Sequence, residues 1–400
     1  MPYSQHIIIV GAGIVGLSTA YALLTQGERR VTVLEQEAVD HRRCSSHGFS
    51  RLLRFEYGPD SFYSELVGLS LQRWRKLQRK AERTLYTLTG LLVLGTRHDN
   101  FTRPSHTVLR AMGMPTEHLS ETRCRQRFPQ FNTCGYDTFT YNSEAGVLHA
   151  STCVRALKDL VTNLGGEIHE SCRVTSIRSM GQQQPLHLKL SSGDELTADR
   201  IVLATGGWVH HLLPYLHLPV RLTRQYLLYF AGLPPSSYAA DIFPAFIVDD
   251  LYGFPIHPGC NGWVKASSHS FGPTISPDEI TPPDEHVIAH ITAKLRQLLP
   301  DLVHANLARI DSCMYDVTPD EDFILDRSPE DPRIIFATGL SGHAFKFGVL
   351  LGELLSSMVC DTAPVVPLER FRLARFAEHM PSRGGGCGGC GDGESCLGDR

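Results

Sequence analysis

Residues 6–35 contain the pattern that most constrains the fold of this chain. An apolar run near the start predicts a buried parallel strand, and three glycines follow where a strand must turn sharply into a helix. Gly11 permits the tight turn, Gly13 lets the backbone approach a pyrophosphate, and Gly16 lets the helix pack against the strand. A second strand ends in Glu35, at the spacing of about 20 residues where this pattern places an acid that binds a ribose 2′-hydroxyl.

The acid at position 35 also restricts the ligand. A carboxylate there disfavours a 2′-phosphate, so the expected ligand is an ADP-containing dinucleotide, FAD or NAD, rather than NADP. The free N–H groups and the positive dipole end of the helix after the glycines would hold its phosphates.

Two further strand-to-glycine turns follow, at 200–208 and 333–342, and residues 216–315 are dominated by short strands with aromatic side chains. The sequence therefore predicts an α/β fold in which one Rossmann-like domain is assembled from separated segments, with an α+β substrate domain and its mainly antiparallel sheet inserted between them. The predicted division is 1–84, 146–215 and 316–380 for the nucleotide-binding domain, 85–145 and 216–315 for the substrate domain, and 381–400 for a flexible Gly- and Cys-rich tail.

Apolar periodicity predicts helices over 61–83, 150–164, 284–298 and 349–359. Residues 85–95 are strand-like. Residues 44–54 are too polar and too short in period for a core element, so a loop is expected there.

Composition excludes several classes of function. The chain has 400 residues, 42% of them hydrophobic, and a formal net charge of −4, which gives no basic field for nucleic acid. No apolar run approaches the roughly 20 residues of a membrane span. The strand near residue 6 leaves no room for a leader peptide before it, and the last residues lack a Ser-Lys-Leu address, so a cytoplasmic location is expected. A monomer is expected as well, although no sequence feature reports the oligomeric state.

Eleven cysteines, an odd number in a long chain, suggest reduced thiols rather than a disulfide framework. Cys387 and Cys390 have metal-ligand spacing, but only Cys396 and no histidine follow them. A closed four-ligand zinc site is not available there, and no metal site is predicted.

Four segments, 46–54, 252–255, 311–326 and 339–347, together resemble the flavoprotein amine oxidase family of monomeric sarcosine oxidase, N-methyltryptophan oxidase and pipecolate oxidase. The resemblance runs in order from about residue 6 to Phe376. It implies a nucleotide-binding domain of the glutathione-reductase/D-amino-acid-oxidase type that binds FAD.

The resemblance also implies that the flavin is joined to the sulfur of Cys313, for which the alternative role is a buried apolar thiol. Arg51 would bring positive charge near the ring, and His343 would shape the flavin site. The full set of expected cofactor-binding residues is Gly11, Gly13, Ile14, Val15, Gly16, Glu35, Ser46, His47, Ser50, Arg51, Val174, Gly206, Trp208, Cys313, Gly339, Gly342, His343, Phe345 and Lys346.

The same resemblance assigns the substrate contacts. Arg54 and Lys346 would bind a carboxylate, since a guanidinium suits bidentate pairing and an ammonium adds a second charge. Lys265 would promote the reduction of O₂, because a fixed positive charge stabilises superoxide. The remaining expected pocket residues, which would position the amine, are Tyr252, His269 and Tyr315. Their alternative roles are a surface ion pair for Arg54, a solvated helix start for Lys346, an exposed edge-strand lysine for Lys265 and a loop histidine for His269.

The implied activity is oxidation of a secondary amino acid, such as sarcosine, another N-methyl amino acid or pipecolate, to an imine with formation of H₂O₂. Ser46-His47 departs from the two successive histidines of many relatives, so no single substrate follows. The alternatives are a flavin dehydrogenase with a non-oxygen acceptor, an oxidase of glycated amino acids, an NAD-linked dehydrogenase, and a non-catalytic protein that acts through its cysteine-rich tail.

Overall fold

The computed structural model describes residues 5–28 and 30–379, so the predicted tail lies outside the described residues. The strands are β1 (His6–Val10), β2 (Arg30–Leu34), β3 (Ser50–Leu53), β4 (Tyr86–Leu88), β5 (Leu91–Gly95), β6 (Thr116–Leu119), β7 (Thr138–Asn142), β8 (Gly146–His149), β9 (Glu167–His169), β10 (Val174–Ser179), β11 (Leu186–Leu190), β12 (Glu195–Ala198), β13 (Arg200–Leu203), β14 (Arg221–Ala231), β15 (Ala245–Val248), β16 (Leu251–Phe254), β17 (Val264–Ser268), β18 (Asn306–Val317), β19 (Ile324–Arg327) and β20 (Ile334–Thr338). The helices are α1 (Ile14–Gln26), α2 (Ser61–Ala81), α3 (Thr102–Ala111), α4 (Glu121–Arg127), α5 (Ala150–Asn163), α6 (Val209–Leu212), α7 (Pro235–Tyr238), α8 (Glu285–Leu298) and α9 (Gly348–Val359).

The nucleotide-binding region is a three-layer arrangement around a six-stranded sheet of order β19-β20-β13-β1-β2-β9. All neighbours in it are parallel except β19, which is antiparallel to β20. Side chains of a strand alternate between faces: Ile7 and Ile9 pack with α1, α5 and α9, whereas Ile8 and Val10 pack with the three-stranded sheet β10-β11-β12. Both faces of β1 are therefore buried, as its apolar run predicts.

Glycines bring α9 close to α1. A Cβ on Gly348 would collide with the side chain of Ile14, and one on Gly352 would collide with Ser18. The C-terminal helix thus packs directly on the helix that follows the first glycine turn.

The second region is built on an eight-stranded sheet of order β18-β14-β17-β16-β15-β5-β7-β6. Its neighbouring strands are antiparallel except for the parallel pair β15 and β5. One face packs against α8 over a separate apolar core that includes Phe230, Phe246 and Leu295.

The prediction of a loop over 44–54 is wrong for its second half, where β3 pairs with β8 in the small sheet β3-β8-β4. The partner strand lies almost a hundred residues away, so the local pattern carries no sign of the pairing. The strand-like segment 85–95 is two strands, β4 and β5, which belong to different sheets. The proposed domain boundary at 315/316 falls inside β18, and the division into segments remains a proposal.

Two further properties concern the described residues as a whole. None of their helices combines the length and the apolar character needed to cross a bilayer. Their cysteines are free thiols, namely Cys44, Cys124, Cys134, Cys153, Cys172, Cys260, Cys313 and Cys360.

Candidate active site

Two neighbouring cavities lie where the two regions meet. The first, of about 350 Å³, is lined by the glycine turns and is called the nucleotide cavity here. The second, of about 400 Å³, lies against the eight-stranded sheet and is called the substrate cavity. The side chains or backbone that line both are Arg51, Cys313, Tyr315, Gly342 and Phe345. A planar ligand that extends from the first cavity towards the second would therefore have its ring at this shared wall.

The glycine turn of the nucleotide cavity has the geometry that its spacing predicts. Gly11 has φ 102°, and a Cβ on it would collide with the carbonyl oxygen of Ala204. A Cβ on Gly16 would collide with the carbonyl oxygen of Gly11. Only glycine fits at either position, so the turn keeps the N-terminus of α1 open towards the cavity.

Two polar side chains complete this cradle. Ser46 Oγ accepts a hydrogen bond from the backbone N–H of Ile14 at 3.0 Å, at the start of α1. Glu35 Oε2 accepts from the N–H of Ala12 at 2.8 Å and Oε1 from Glu37 at 3.1 Å, and its carboxylate lines the cavity at the end of β2. The N-terminus of a helix can bind the phosphates, and a carboxylate at the end of the next strand can bind a ribose hydroxyl. The two together fit an ADP-containing dinucleotide.

Most of the expected cofactor residues line the nucleotide cavity, namely Gly11, Gly13, Ile14, Val15, Glu35, Ser46, Arg51, Val174, Gly206, Trp208, Cys313, Gly342 and Phe345. His343 and Lys346 line the substrate cavity instead. The ones that line neither cavity are Gly16, His47, Ser50 and Gly339. His47 Nδ1 lies 3.0 Å from Asp40 Oδ1, and this contact turns the imidazole away from the cavities.

Sequence reasoning missed several residues of the nucleotide cavity. Cys44, Ser45, Thr205, Cys172 and Met314 line it beside expected neighbours. Each is adjacent in sequence to an expected residue or within two positions of one, which is the signal that could have found them.

Arg51 is fixed at the shared wall by backbone oxygens. Its guanidinium donates to the carbonyls of Ser50 at 2.9 Å, Ser45 at 2.8 Å and His47 at 2.7 Å, and it lies 5.6 Å from the ring centroid of Phe345. Within the described residues its hydrogen-bond partners are carbonyl oxygens rather than a carboxylate, so this partly buried guanidinium keeps a fixed positive charge beside both cavities.

Register across the eight-stranded sheet places the other expected residues on one face. Phe254 pairs with Lys265, Lys265 with Tyr229, and Tyr229 with Arg309, which forms a row across β16, β17, β14 and β18. The next row of β16 and β17 pairs Tyr252 with Ser267. On β18, Cys313 and Tyr315 follow at alternate positions and line both cavities.

Lys265 lies inside this sheet and is 2% exposed, so the alternative of an exposed edge-strand lysine is wrong. Its Nζ donates to the carbonyl of Ser50 at 2.9 Å and lies 4.9 Å from the ring centroid of Phe254. Burial and the nearby Arg51 hold the pKa of Lys265 well below its usual value, whereas Asp311 acts in the opposite direction.

Cys313 has a partly buried thiol at the shared wall. Its Sγ lies 3.8 Å from the carbonyl oxygen of Ser45, and burial raises the pKa of the thiol while Arg51 and Lys265 oppose that rise. Two cations therefore partly offset the effect of burial on this thiol, at a position that both cavities reach.

Arg54 and Lys346 form a cationic pair in the substrate cavity. Lys346 is 3% exposed, and its Nζ donates to the carbonyl of His343 at 2.7 Å. Arg54 Nη1 is buried and has no hydrogen-bond partner among the described residues. Within this described part of the chain, neither cation forms an ion pair with a carboxylate, so the pair has free capacity for an anionic ligand.

The remaining expected residues face the same space with neutral side chains. Burial, together with Arg54 and Lys346, lowers the pKa of His269 to about 4. Burial raises the pKa of Tyr252 to about 12 and raises that of Tyr315 as well. The ring of His269 lies 5.6 Å from that of Tyr315 and 6.4 Å from that of Tyr252, so the three surround one part of the cavity.

The substrate cavity also has lining residues that the sequence did not point to. They are the apolar Val93, Leu94, Phe101, Ile247 and Leu251 and the acidic Asp99, Asp249 and Asp250. Val93 and Ile247 are paired across the parallel strands β5 and β15. A local sequence pattern does not predict such a long-range contact.

Comparison with known proteins agrees with this geometry. The family model described as DAO, FAD dependent oxidoreductase, matches residues 6–358. Mouse (Mus musculus) peroxisomal sarcosine oxidase is 33% identical over 387 residues, with 92% of this chain and 96% of that protein covered. N-methyl-L-tryptophan oxidase of Yersinia pestis (strain Pestoides F) is 30% identical over 379 residues, with 92% of this chain and 99% of that protein covered.

Among solved structures, the L-proline dehydrogenase of P. horikoshii superimposes with a TM-score of 0.81 and covers 95% of this chain and 99% of its own. At 19% sequence identity this likeness concerns the fold alone. The matched family model spans most of the chain and includes all three glycine turns and the strands around both cavities. The chain therefore belongs to the FAD dependent oxidoreductase family, and its cofactor is FAD.

Proposed function

We propose that this protein is an FAD-dependent oxidase of secondary amino acids, N-methylated or cyclic, which converts the C–N bond to an imine and reduces O₂ to H₂O₂. The observation that carries the proposal is the cationic pair Arg54 and Lys346 beside the wall shared with the nucleotide cavity. The names of the two relatives, a sarcosine oxidase and an N-methyl-L-tryptophan oxidase, support the choice of N-methyl amino acids.

Binding of the substrate starts at its carboxylate. The free Nη1 of Arg54 donates one hydrogen bond to it and the ammonium of Lys346 supplies the second charge, so the α-carbon is held near the shared wall. The unprotonated amine of the substrate then lies among the uncharged side chains of His269, Tyr252 and Tyr315.

The protonation states of these three groups suit an amine. With a pKa of about 4, His269 is neutral at physiological pH, so it does not repel an ammonium and it can accept a hydrogen bond from the amine nitrogen. The two tyrosines keep their protons. The chemistry that FAD would supply when bound is acceptance of a hydride equivalent from the α-carbon or the N-methyl carbon, and the substrate would lose two electrons and two protons in all in forming the imine.

Lys265 is proposed to act when O₂ takes up those two electrons and two protons to give H₂O₂. Its ammonium is held by the carbonyl of Ser50 and by the ring of Phe254, and Arg51 adds a second positive charge nearby. A fixed positive charge stabilises the superoxide anion that the first electron produces.

We further propose that Cys313 joins FAD through a thioether to its 8α-methyl carbon. The C–S bond would replace the S–H bond and one C–H bond of the methyl group, both hydrogens would leave as protons, and the two electrons would reduce the flavin ring, from which O₂ would then remove them. The proposal is supported by the position of the thiol at the shared wall and by the two cations, Arg51 and Lys265, that oppose the rise of its pKa on burial. A cytoplasmic location is kept as a proposal, since free thiols are typical of a reducing compartment.

The test is a peroxide assay in air with a panel of secondary amino acids: sarcosine, N-methyltryptophan, pipecolate, proline and a glycated amino acid. The purified protein should be yellow, its colour should remain with the protein after acid precipitation, and at least one secondary amino acid should yield H₂O₂. Bleaching of the flavin without peroxide would instead indicate a dehydrogenase. A colourless protein that oxidises none of the panel would refute the proposal.

A further inference from the structure

Tyr57 lies against both members of the cationic pair. The guanidinium carbon of Arg54 is 4.3 Å and the Nζ of Lys346 is 5.2 Å from the centroid of its ring. Cations at these distances are attracted by the negative face of an aromatic ring. Tyr57 itself lines neither cavity, so it lies behind the two cations as seen from the substrate.

The two cations need such support because they repel each other. Burial and the neighbouring Arg54 hold the pKa of Lys346 well below its usual value, and Glu56 opposes that shift. The carboxylate of Glu56 itself is engaged by Asn142 Nδ2 at 2.9 Å and by the N–H of Phe55 at 2.9 Å. Among the aromatic rings of the described residues, that of Tyr57 is the one that lies within cation–π distance of both cations.

The orientation of Tyr57 is fixed by a chain of hydrogen bonds. His343 Nε2 lies 3.1 Å from the carbonyl oxygen of Glu321, which only accepts, so this nitrogen carries the proton. His343 Nδ1 is then an acceptor, and the hydroxyl of Tyr57 donates a hydrogen bond to it at 3.1 Å. The ring of Tyr63 stacks on that of Tyr57 with centroids 5.0 Å apart, which fixes the plane of the ring.

We infer that Tyr57 is a positioning residue for the anion site, whose ring holds the two like charges of Arg54 and Lys346 side by side so that one carboxylate binds both. The inference rests on the proposed function only in naming that carboxylate as the substrate's. Its contribution comes from the ring, and the hydrogen bond to His343 serves to orient the ring.

The test compares variants that keep and remove the ring, with the holoenzyme and two probes of equal size. Acetate carries the charge that the pair binds, and acetamide does not. Tyr57→Leu should weaken acetate binding about 5- to 30-fold, the value of two cation–π contacts in a partly desolvated site, and leave acetamide binding unchanged. Tyr57→Phe should bind acetate within about twofold of the wild type, because the ring remains.

A series of fluorinated phenylalanines at position 57 covers the case in which Tyr57→Leu fails to fold. Fluorination keeps the shape of the ring but weakens the negative potential of its face, so acetate affinity should fall stepwise from phenylalanine to the trifluorinated side chain. Tyr215→Leu, a tyrosine that lines neither cavity, is the matched control.

Equal acetate affinity along the fluorinated series, or a parallel loss of acetate and acetamide binding in Tyr57→Leu, would overturn the inference. Acetate binding is measured by calorimetry and requires no turnover. A wild-type protein that binds acetate in this way but oxidises no secondary amino acid would therefore refute the proposed function and leave the role of Tyr57 intact.

Discussion

Substitution of Lys346 by methionine should change catalysis and stability in opposite directions. The ammonium is 3% exposed, is repelled by Arg54, and has no ion pair with a carboxylate in the part of the chain that the structure describes. Methionine has a similar length and no charge. In the free enzyme the variant therefore loses an unfavourable charge, whereas in the substrate complex it loses a favourable contact.

The catalytic effect follows from the value of a hydrogen bond to a charged group, about 1.5–3 kcal/mol. We expect kcat/KM of Lys346→Met to fall about 10- to 150-fold, since 1.4 kcal/mol corresponds to a factor of ten. The flavin spectrum should not change. Steady-state kinetics with the best substrate of the peroxide screen measures the loss, and Lys189→Met, at an exposed position of β11, is the control for the same chemical change.

The effect on stability has a definite sign and pH range. The pKa of Lys346 is lower in the folded than in the unfolded state. The buried charge therefore lowers the free energy of unfolding by its full amount at any pH below the folded-state pKa. This cost disappears as the pH rises from that pKa towards the unfolded-state pKa of 10.5. Lys346→Met should therefore have a Tm equal to or above that of the wild type at pH 7, with a smaller difference at pH 10. A kcat/KM within threefold of the wild type, or a large fall in Tm at pH 7, would refute this reasoning.

Four further outcomes are expected. Lys265→Met should slow reoxidation of the flavin by O₂ at least about tenfold and leave its reduction by substrate within about threefold in stopped-flow experiments, because it removes the charge that stabilises superoxide. Cys313→Ser should release its flavin into the supernatant after acid precipitation, whereas the wild type should not. Gly16→Ala should yield protein with little bound FAD by absorbance, since its Cβ would collide with the carbonyl oxygen of the first turn glycine. The Tm should fall as the pH is lowered from 6.5 to 4, because the unfolded chain binds a proton at His269 near pH 6.5 whereas the folded protein binds it only near pH 4. His269→Gln should flatten this part of the plot of Tm against pH.

The elements that the sequence predicts well are those whose signals are local. The strand, the glycines and the acid of residues 6–35 lie within one βαβ unit, so spacing alone predicts that Gly11 turns tightly and that Glu35 reaches the nucleotide cavity. The helices α2, α5, α8 and α9 likewise follow from apolar periodicity within one segment.

Features that depend on pairing between distant strands could not be predicted from local sequence patterns. Whether Lys265 is central or at an edge depends on the partners of β17, which come from β14 and β16, and the sequence around it fits both cases. The strand β3 needs β8 as a partner, and His47 turns to Asp40 although the surrounding motif favours the cofactor. Arg54 and Lys346 were associated only through a family resemblance, and Tyr57, which contacts both, carries no sequence signal of its own.

The order of strands in the six-stranded sheet has a consequence for synthesis of the protein on the ribosome. Strand β1 lies between β2 and β13, and β13 needs β20, whose last residue is Thr338. The first glycine turn is translated early, yet the sheet that supports it stays incomplete until more than three quarters of the chain has left the exit tunnel. Nascent chains that stop before α9 would therefore expose the apolar face of α1 that α9 covers, and capture of flavin is expected to be a late event rather than one that guides early folding.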